Sequence, residues 1–382
     1  MDDFFLSLIR LGIGNARVAN VPKQIDWNKL EDIAAMQGLS AVMVDGLEKL
    51  PDDNRPPKLV LLQWIGEILQ GYEYRYDQYS KVIAEMAAFY NAHGFKMMVL
   101  KGYACSLDWP KPEHRPCGDI DIWLFGRQQA ADSALAASPK FQVSGSKIDK
   151  SHHHHSVFNW GEFTVENHYD FVNVHQNKTN AKIEKILKEL GNLKVESSEY
   201  RVDSQLKECS DTGCKFPTVV LNGEIVYLPS PNLFALFLIK HTMLHFVMGE
   251  FSFRQLLDWA FFVKKHGKAV DWPWLLDVLE QYGMMPAFDI FNAICVEDLG
   301  FEISIFPRIQ FNPAIKAKVI SEILHPEYNS NDPEGLIAGL VYKFRRWKGS
   351  SWKYELCYNE SRWSSFWSGV WGHLLKPKSF EH

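Results

Sequence analysis

Two aspartates, Asp119 and Asp121, flank an isoleucine at the start of an apolar stretch that ends at Leu124. The stretch has the composition of a β-strand, in which side chains alternate between the two faces of a sheet. Both carboxylates therefore point to the same face. About 5 Å apart, at an effective dielectric constant near 20, they repel each other by roughly 3 kcal/mol. Such a pair tends to share a proton or a divalent cation. We expect replacement of either aspartate by asparagine to leave the stability unchanged or slightly higher.

A glycine turn, Leu100-Lys101-Gly102, precedes this acidic strand. Glycine lets the backbone approach a phosphate closely, and the adjacent lysine ammonium is well placed to meet phosphate charge. Arg115 lies in the loop that leads through Gly118 into the strand, where it either clamps phosphate or pairs with Asp119. Together with the aspartates, this segment indicates phosphoryl chemistry at a bound metal ion.

The overall composition is that of a globular protein large enough for two or three domains. Hydrophobic residues make up 46% of the 382 residues, and the net charge of -5 gives no general positive field. Duplex nucleic acid is therefore not expected as a partner. The six cysteines are scattered, the acidic start lacks the basic lead of a secretory signal, and no apolar run approaches the roughly 20 residues of a membrane span. We expect a cytoplasmic protein without a membrane span.

The spacing of apolar residues divides the chain into a helical region, a mixed region of helices and strands, and a second helical region, at residues 1–94, 95–228 and 229–382. In the first region, Asp26 begins a helix and Gly38 ends it. A longer helix covers roughly residues 59–90, with a break near Gly71. Helices thus flank the region that contains the two aspartates.

Within the middle region, short apolar runs predict several strands. They are residues 96–100, 120–124, 141–143, 154–160, 163–171 and 224–228. The fourth and fifth strands are joined at Asn159-Trp160-Gly161 as a hairpin. A helix is predicted at 128–137. The last region begins with a helix that has Ser230 as N-cap and Pro231 at its first position.

Several short motifs follow one another in a recognisable order. They are Asp26-Trp27, Asp45-Gly46-Leu47, Leu100-Lys101-Gly102, Arg115, Gly118-Asp119-Ile120-Asp121, Val165-Glu166-Asn167-His168, His241 with His245, and Arg254 with Asp258. Their order and spacing, which cover most of the chain, resemble the DNA-polymerase-beta-type nucleotidyltransferase superfamily, and in particular a bacterial family labelled uncharacterised nucleotidyltransferases. One departure is Tyr103, which follows Gly102 where the superfamily usually has a second small residue. This departure bears on triphosphate binding and leaves the metal pair unaffected.

The resemblance implies an α+β fold, with a small mixed nucleotidyltransferase sheet flanked by helices and with helical N-terminal and C-terminal regions. It implies that Asp119 and Asp121 hold two divalent cations and that a third acid completes the site. Glu166 fits that role by position, because it shares one face of strand 163–171 with His168 and Asp170. Oxygen ligands suit Mg²⁺ or Mn²⁺.

The implied reaction transfers a nucleoside monophosphate from an NTP, such as ATP, to a hydroxyl of a small molecule or protein, and pyrophosphate leaves. The resemblance places the nucleotide against Lys101, Gly102, Arg115, Gly118, His168, His241 and His245. Two alternatives remain open. One is a phosphotransferase of the choline-phosphate-transferring type, which shares the Lys-Gly and Asp-x-Asp layout. The other is a catalytically silent descendant that binds a nucleotide or a partner protein.

Other patterns have more ordinary interpretations. Histidines on a strand alternate between faces, so the run His152–His155 is not expected to converge on one ion, although a substrate contact from His153 or His155 is open. His241 and His245 lack an evident third ligand, which favours a packed pair lining the cleft over a zinc site. The Arg254 and Asp258 pair is interpreted as a helix-surface ion pair, and Cys209 and Cys214 as loop thiols. The aromatic C-terminal residues indicate a packed core or interface; they include Trp347, Trp352, Trp363, Trp367 and Trp371.

Overall fold

The structure is a computed structural model that describes residues 1–143, 145–175, 178–191, 216–327, 342 and 345–358. The chain forms two compact units, each assembled from segments that are distant in sequence. The helical unit comprises Met1–Tyr72, Asp108–Arg115 and described residues of Leu238–Arg362, and the sheet unit comprises Glu73–Leu107 and described residues of Pro116–Phe237. The division into regions at 1–94, 95–228 and 229–382 stays a prediction. Cys209, Cys214, Trp363, Trp367 and Trp371 lie outside the described residues.

The sheet unit contains a six-stranded mixed sheet, which confirms the predicted α+β class. Its strands are β1 (Met98–Val99), β2 (Ile120–Trp123), β3 (His155–Trp160), β4 (Phe163–His168), β5 (Thr218–Leu221) and β6 (Glu224–Tyr227). They lie in the order β3-β4-β2-β1-β6-β5. The pairs β2/β4 and β1/β6 are parallel, whereas β1/β2, β3/β4 and β5/β6 are antiparallel. Strand β2 therefore lies between β4 and β1, in the middle of the sheet.

The alternation along β2 separates a buried apolar face from an acidic one. Ile120 and Ile122 belong to the hydrophobic core of this unit, together with Val165 of β4 and with Tyr79 and Ile83 of a long helix. Because neighbouring strand residues point to opposite faces, the aspartates are directed away from that core. The helices of this unit are Arg75–Ala92, Tyr103–Ser106, Gln128–Ala137, Pro139–Val143 and Lys178–Gly191.

Most of the predicted elements of this unit are confirmed, with two corrections. Residues 141–143 were predicted as a strand but belong to the helix Pro139–Val143. The reason is local, because Ser138 Oγ accepts a hydrogen bond from the Phe141 amide at 3.3 Å, as a helix N-cap does. Strand β5 was missed. It is joined to β6 through Asn222-Gly223, whose φ angles of 49° and 86° fit a two-residue hairpin turn.

Among the described residues, the helical unit contains further α-helices. They are Asp2–Gly12, Trp27–Gln37, Ser40–Leu47, Lys58–Ile68, Phe253–His266, Trp272–Gln281, Met285–Glu297, Pro313–Leu324 and Ser351–Cys357. The predicted caps of the second helix are confirmed: Asp26 accepts a hydrogen bond from the Lys29 amide at 3.1 Å, and Gly38 has φ 64°. The predicted break near Gly71 corresponds to a π-helical segment, Leu69–Tyr74.

The helix Pro231–Met248 begins at the predicted proline. Among the described residues it is the helix whose length and mean hydropathy of 1.2 would allow it to cross a membrane. Within the protein, 67% of it is buried, as in the core helix of a globular domain. It also carries Lys240, whose ammonium lies 3.9 Å from the ring centre of Tyr358. The absence of a membrane span stays a prediction.

Glu184, on the last helix of the sheet unit, is expected to make the stability depend on pH. Its carboxylate accepts hydrogen bonds from the amides of Phe171 and Val172, at 3.0 and 2.9 Å. Burial nevertheless raises the pKa of Glu184 from 4.5 to about 7. A raised pKa favours the protonated folded state, so this contribution is present below pH 4.5 and is lost as the pH rises through 7. The free energy of unfolding should fall by on the order of 3 kcal/mol across this pH range.

Urea unfolding between pH 4.5 and 8 tests this expectation. The wild type should lose stability relative to Glu184→Gln across this range, whereas Glu189→Gln, an exposed position on the same helix, should follow the wild type. If the free energy of unfolding had the same pH dependence in the wild type and in Glu184→Gln, Glu184 would not titrate in this range.

Candidate active site

Strands β2 and β4 bring the acidic residues together. Asp121 is the direct register partner of Glu166, and Trp123 is the partner of His168. Directly paired residues of parallel strands point to the same face, and so do residues two apart on one strand. The predicted acidic face of 163–171 therefore lies beside Asp121, in agreement with the alternation along both strands.

The side chains on this face form a tight cluster of opposite charges. Lys101 Nζ lies 2.6 Å from Asp121 Oδ1, and His168 Nε2 lies 3.0 Å from the same oxygen. His168 Nε2 is also 3.4 Å from Glu166 Oε2. Asp121, Glu166 and His168 each offer a metal-ligating atom, and these three atoms all lie within 4.8 Å of one another. We call these three residues the carboxylate group.

The electrostatics of the cluster keep both carboxylates ionised. Burial alone would raise the pKa of Asp121, but Lys101 and His168 outweigh it and lower that pKa. Burial is likewise outweighed at Glu166, whose pKa is lowered by the hydrogen bond to His168 and by the charge of Lys101. Burial opposes protonation of His168, yet its two carboxylate partners raise its pKa to about 9. At neutral pH, the negative charges of Asp121 and Glu166 are thus matched by the positive charges of Lys101 and His168.

Asp119 is the more exposed of the two aspartates. Its pKa is raised, first by the charge of Asp121 and then by burial, which agrees with the predicted repulsion. Asp119 is not a member of the carboxylate group. Its backbone is fixed instead, because the Tyr79 hydroxyl donates a hydrogen bond to the Asp119 carbonyl oxygen at 2.7 Å. The structure therefore brings Asp121 and Glu166 together, with Asp119 at the edge of the cluster.

Gly102 shapes the turn that delivers Lys101 to Asp121. Its φ of 44° lies in the left-handed region, and a Cβ atom here would lie 2.3 Å from the Tyr79 hydroxyl. Tyr103, the departure from the superfamily pattern, is 5% exposed and belongs to the hydrophobic core. Its ring stacks on Tyr76 with centroids 5.9 Å apart. The ring of Tyr103 therefore fills the core and does not cover the glycine turn.

We expect Gly102→Ala to lower activity by roughly 100-fold, because the added methyl collides with Tyr79 and shifts the turn relative to Asp119. Gly66→Ala is a suitable control, since a Cβ atom there meets nothing within 4 Å. The initial rate of transfer and the melting temperature of both variants test this prediction. A Gly102→Ala enzyme with the wild-type rate would show that the turn is not constrained.

The histidine run corrects one expectation. Although neighbouring residues were predicted to diverge, His154 and His155 both approach His168, with ring centroids 5.5 and 5.2 Å from it. His155 opens β3 and is the register partner of His168, whereas His154 precedes the strand and does not follow its alternation. Burial lowers the pKa of His154 to about 2 and that of His155 to about 4. The hairpin predicted at Gly161 is the signal that could have placed His155 opposite His168.

Other predicted site residues lie in the helical unit. Arg115 forms a two-pronged ion pair with Asp258, from Nε to Oδ1 at 2.8 Å and from a terminal nitrogen to Oδ2 at 2.9 Å. Trp109 Nε1 donates to the same carboxylate at 2.8 Å. Asp258 is a partner that the sequence analysis did not anticipate; whether Arg115 meets phosphate or Asp119 stays a prediction. Asp258 is buried, so the interpretation of a surface ion pair there is wrong.

The helix pair His241 and His245 is packed as predicted, with the two Nε2 atoms 3.0 Å apart. His245 Nδ1 also lies 3.4 Å from a carboxylate oxygen of Glu250. A position of either histidine in a nucleotide cleft stays a prediction, as do the nucleotide contacts of Arg115 and Gly118.

The residues of the carboxylate group fit a divalent cation. Two carboxylates offer hard oxygen donors, and Lys101 already places a positive charge at 2.6 Å from Asp121. Oxygen donors suit Mg²⁺ and Mn²⁺, and an imidazole donor is better tolerated by Mn²⁺ than by Mg²⁺. Asp121, Glu166 and His168 are the residues that would hold such a cation.

Comparison with known proteins agrees with this geometry. A family model described as Uncharacterised nucleotidyltransferase matches residues 23–299, which is more than two thirds of the 382 residues. No curated protein and no solved structure matches the chain. The matched range includes the glycine turn, both aspartates and the whole carboxylate group, so the family predicted from the motifs is confirmed. The chain belongs to the uncharacterised nucleotidyltransferase family.

Proposed function

We propose that this protein is a metal-dependent enzyme that transfers a nucleoside monophosphate from an NTP to a hydroxyl of a small molecule or protein. Its family supports nucleotidyl transfer in general. The observation that carries the finer proposal is the register of Asp121 with Glu166 on neighbouring strands, with Lys101 held against the same aspartate. This arrangement places two carboxylates, which can bind a cation, and an ammonium, which can meet a phosphate, on one face of the sheet.

Asp121 and Glu166, with Asp119 beside them, would hold the divalent cations. When bound, such cations stabilise the attacking and leaving oxygens of an in-line displacement at phosphorus. Asp121 and Glu166 are suited to this role because their lowered pKa values keep them ionised at neutral pH. The same property makes Glu166 a weak general base, so we assign it to cation binding.

Lys101 would act on the phosphates of the substrate. Its burial disfavours the charged form, but Asp121, Asp119 and Glu166 together raise its pKa. It therefore stays protonated and carries a charge to the glycine turn, where a phosphate can approach.

The direct test is to incubate the protein with each of the four NTPs, with Mg²⁺ or Mn²⁺, and with extracts of small molecules and proteins as acceptors. We expect release of pyrophosphate and incorporation of α-phosphate label. Glu166→Gln should lower both by roughly 100-fold, whereas Glu162→Gln, exposed in the same hairpin, should not. Incorporation of a terminal phosphate or of a choline-phosphate group, or nucleotide binding without turnover, would contradict the proposal.

His241 and His245 are proposed to contribute to substrate binding. We expect His245→Ala to raise the KM for the NTP by about tenfold, through loss of one or two polar contacts, and to weaken substrate binding more than it weakens folding. Steady-state kinetics and thermal unfolding test this together. An unchanged KM would assign the pair to the structure of the helical unit alone.

A further inference from the structure

Three histidines form a second cluster of potential ligands beside the carboxylate group. His154 and His155 have ring centroids 4.2 Å apart, and each also approaches His168. One ring nitrogen from each of the three lies within 4.8 Å of the others. We call these residues the imidazole group. It shares His168 with the carboxylate group but has a different donor chemistry.

The ring nitrogens of this group are incompletely satisfied. His155 is 6% exposed, and its buried Nδ1 has no hydrogen-bond partner among the residues that the structure describes. The same holds for the buried Nδ1 of His154. A buried polar atom without a partner costs about 1–3 kcal/mol, so two such atoms in one cluster need an explanation. A bound cation would satisfy both.

The third histidine is oriented as metal ligands are. His168 Nδ1 lies 3.1 Å from the Asp170 carbonyl oxygen, which can only accept, so this nitrogen carries the proton. A ligating histidine usually donates its other ring N–H to a carbonyl or carboxylate in this manner. His168 Nε2 is thereby directed at the cluster, where a cation can replace the proton that it shares with the carboxylates.

A carboxylate lies beside two of the three histidines. Glu166 Oε2 lies 3.4 Å from His168 Nε2 and 3.7 Å from His155 Nδ1. Three nitrogens and one oxygen are typical of tetrahedral Zn²⁺ and of related transition metals, whereas Mg²⁺ prefers oxygen ligands alone.

We propose that His154, His155 and His168 form a binding site for Zn²⁺ or a related transition-metal ion, with Glu166 as an oxygen donor. This site shares His168 and Glu166 with the carboxylate group and differs from it in His154 and His155, which replace Asp121 as donors. Because His168 has one ring nitrogen to offer, occupancy of the imidazole group withdraws it from Asp121.

The site can be tested with Co²⁺, which replaces Zn²⁺ and has intense visible absorption when tetrahedral. The full-length chain, prepared with a chelator and then freed of it, is titrated with Co²⁺ and afterwards with Zn²⁺. We expect one tetrahedral Co²⁺ spectrum that Zn²⁺ abolishes. His154→Ala and His155→Ala should raise the Kd for Co²⁺ at least tenfold. His93→Ala, an exposed histidine of the same unit, should have no effect.

Asp121→Asn separates the two groups and makes the test independent of catalysis. The proposed site requires this variant to keep its tetrahedral Co²⁺ spectrum even though it lacks the partner of Lys101. His154→Asn provides a second variant of similar polarity, in case an alanine variant does not fold. Unchanged Co²⁺ affinity in the His154 and His155 variants would overturn the proposal. Loss of the spectrum in Asp121→Asn that circular dichroism shows to be folded, or in folded His241→Ala on the other histidine pair, would also overturn it.

Discussion

Replacement of Asp121 by asparagine is expected to lower the rate of nucleotidyl transfer roughly a thousandfold. It is also expected to destabilise the metal-free protein. Asp121 is 2% exposed and has the Lys101 ammonium and His168 as partners. Its removal leaves two buried cations without the carboxylate that they share. Breaking a buried ion pair by removal of one partner typically costs about 3–5 kcal/mol. This corrects the expectation from sequence that the stability would be unchanged.

Asp119→Asn is the matched comparison. Asp119 is exposed, and its pKa is raised chiefly by the charge of Asp121. Loss of its charge removes repulsion, so we expect equal or slightly higher stability together with a loss of transfer activity. Urea unfolding with a chelator present, and transfer rates with Mn²⁺, distinguish the two variants. Equal destabilisation by both, or transfer activity retained by Asp121→Asn, would contradict the roles assigned to them.

Arg115→Ala is expected to destabilise the helical unit by about 3–5 kcal/mol. The guanidinium binds the buried Asp258 carboxylate through two nitrogens, and the variant leaves that carboxylate with Trp109 as a neutral donor. Arg115→Lys cannot form the same two-pronged contact and should recover only part of the loss. Thermal and urea unfolding provide the measurement.

The surface pair Lys81 and Asp77, more than half exposed on both sides, supplies the control. Lys81→Ala should change stability little, because exposed ion pairs contribute little to it. If Arg115→Ala were as stable as Lys81→Ala but bound NTP poorly, Arg115 would be a phosphate ligand, and the structural role assigned to it would be wrong.

The alternation of side chains made the sheet and its acidic face predictable from sequence. Ile120 and Ile122 face the core while the aspartates do not, and Glu166 lies beside Asp121 as the pattern along 163–171 implies. The caps at Asp26 and Gly38 were equally local and equally predictable. Each of these features depends on a few consecutive residues, so it can be derived without knowledge of the tertiary structure.

The errors concern contacts between distant segments or local exceptions to alternation. Arg115 and Asp258 are separated by 143 positions, and no periodicity in either segment indicates that they meet. The apolar residues of 141–143 fit a strand, but the preceding Ser138 and Pro139 start a helix instead. His154 approaches His168 because it precedes β3, and strand geometry does not apply to it.

The central claim is that Asp121 and its neighbours support transfer of the α-phosphorus of an NTP. It is tested most directly with ATP labelled on the α-phosphate and, in parallel, on the γ-phosphate, with wild type and Asp121→Asn side by side in Mn²⁺. We expect wild type to incorporate only the α-label into acceptor, with one pyrophosphate released per transfer, and Asp121→Asn to incorporate neither. Incorporation of the γ-label, or equal α-label incorporation by both proteins, would contradict the claim.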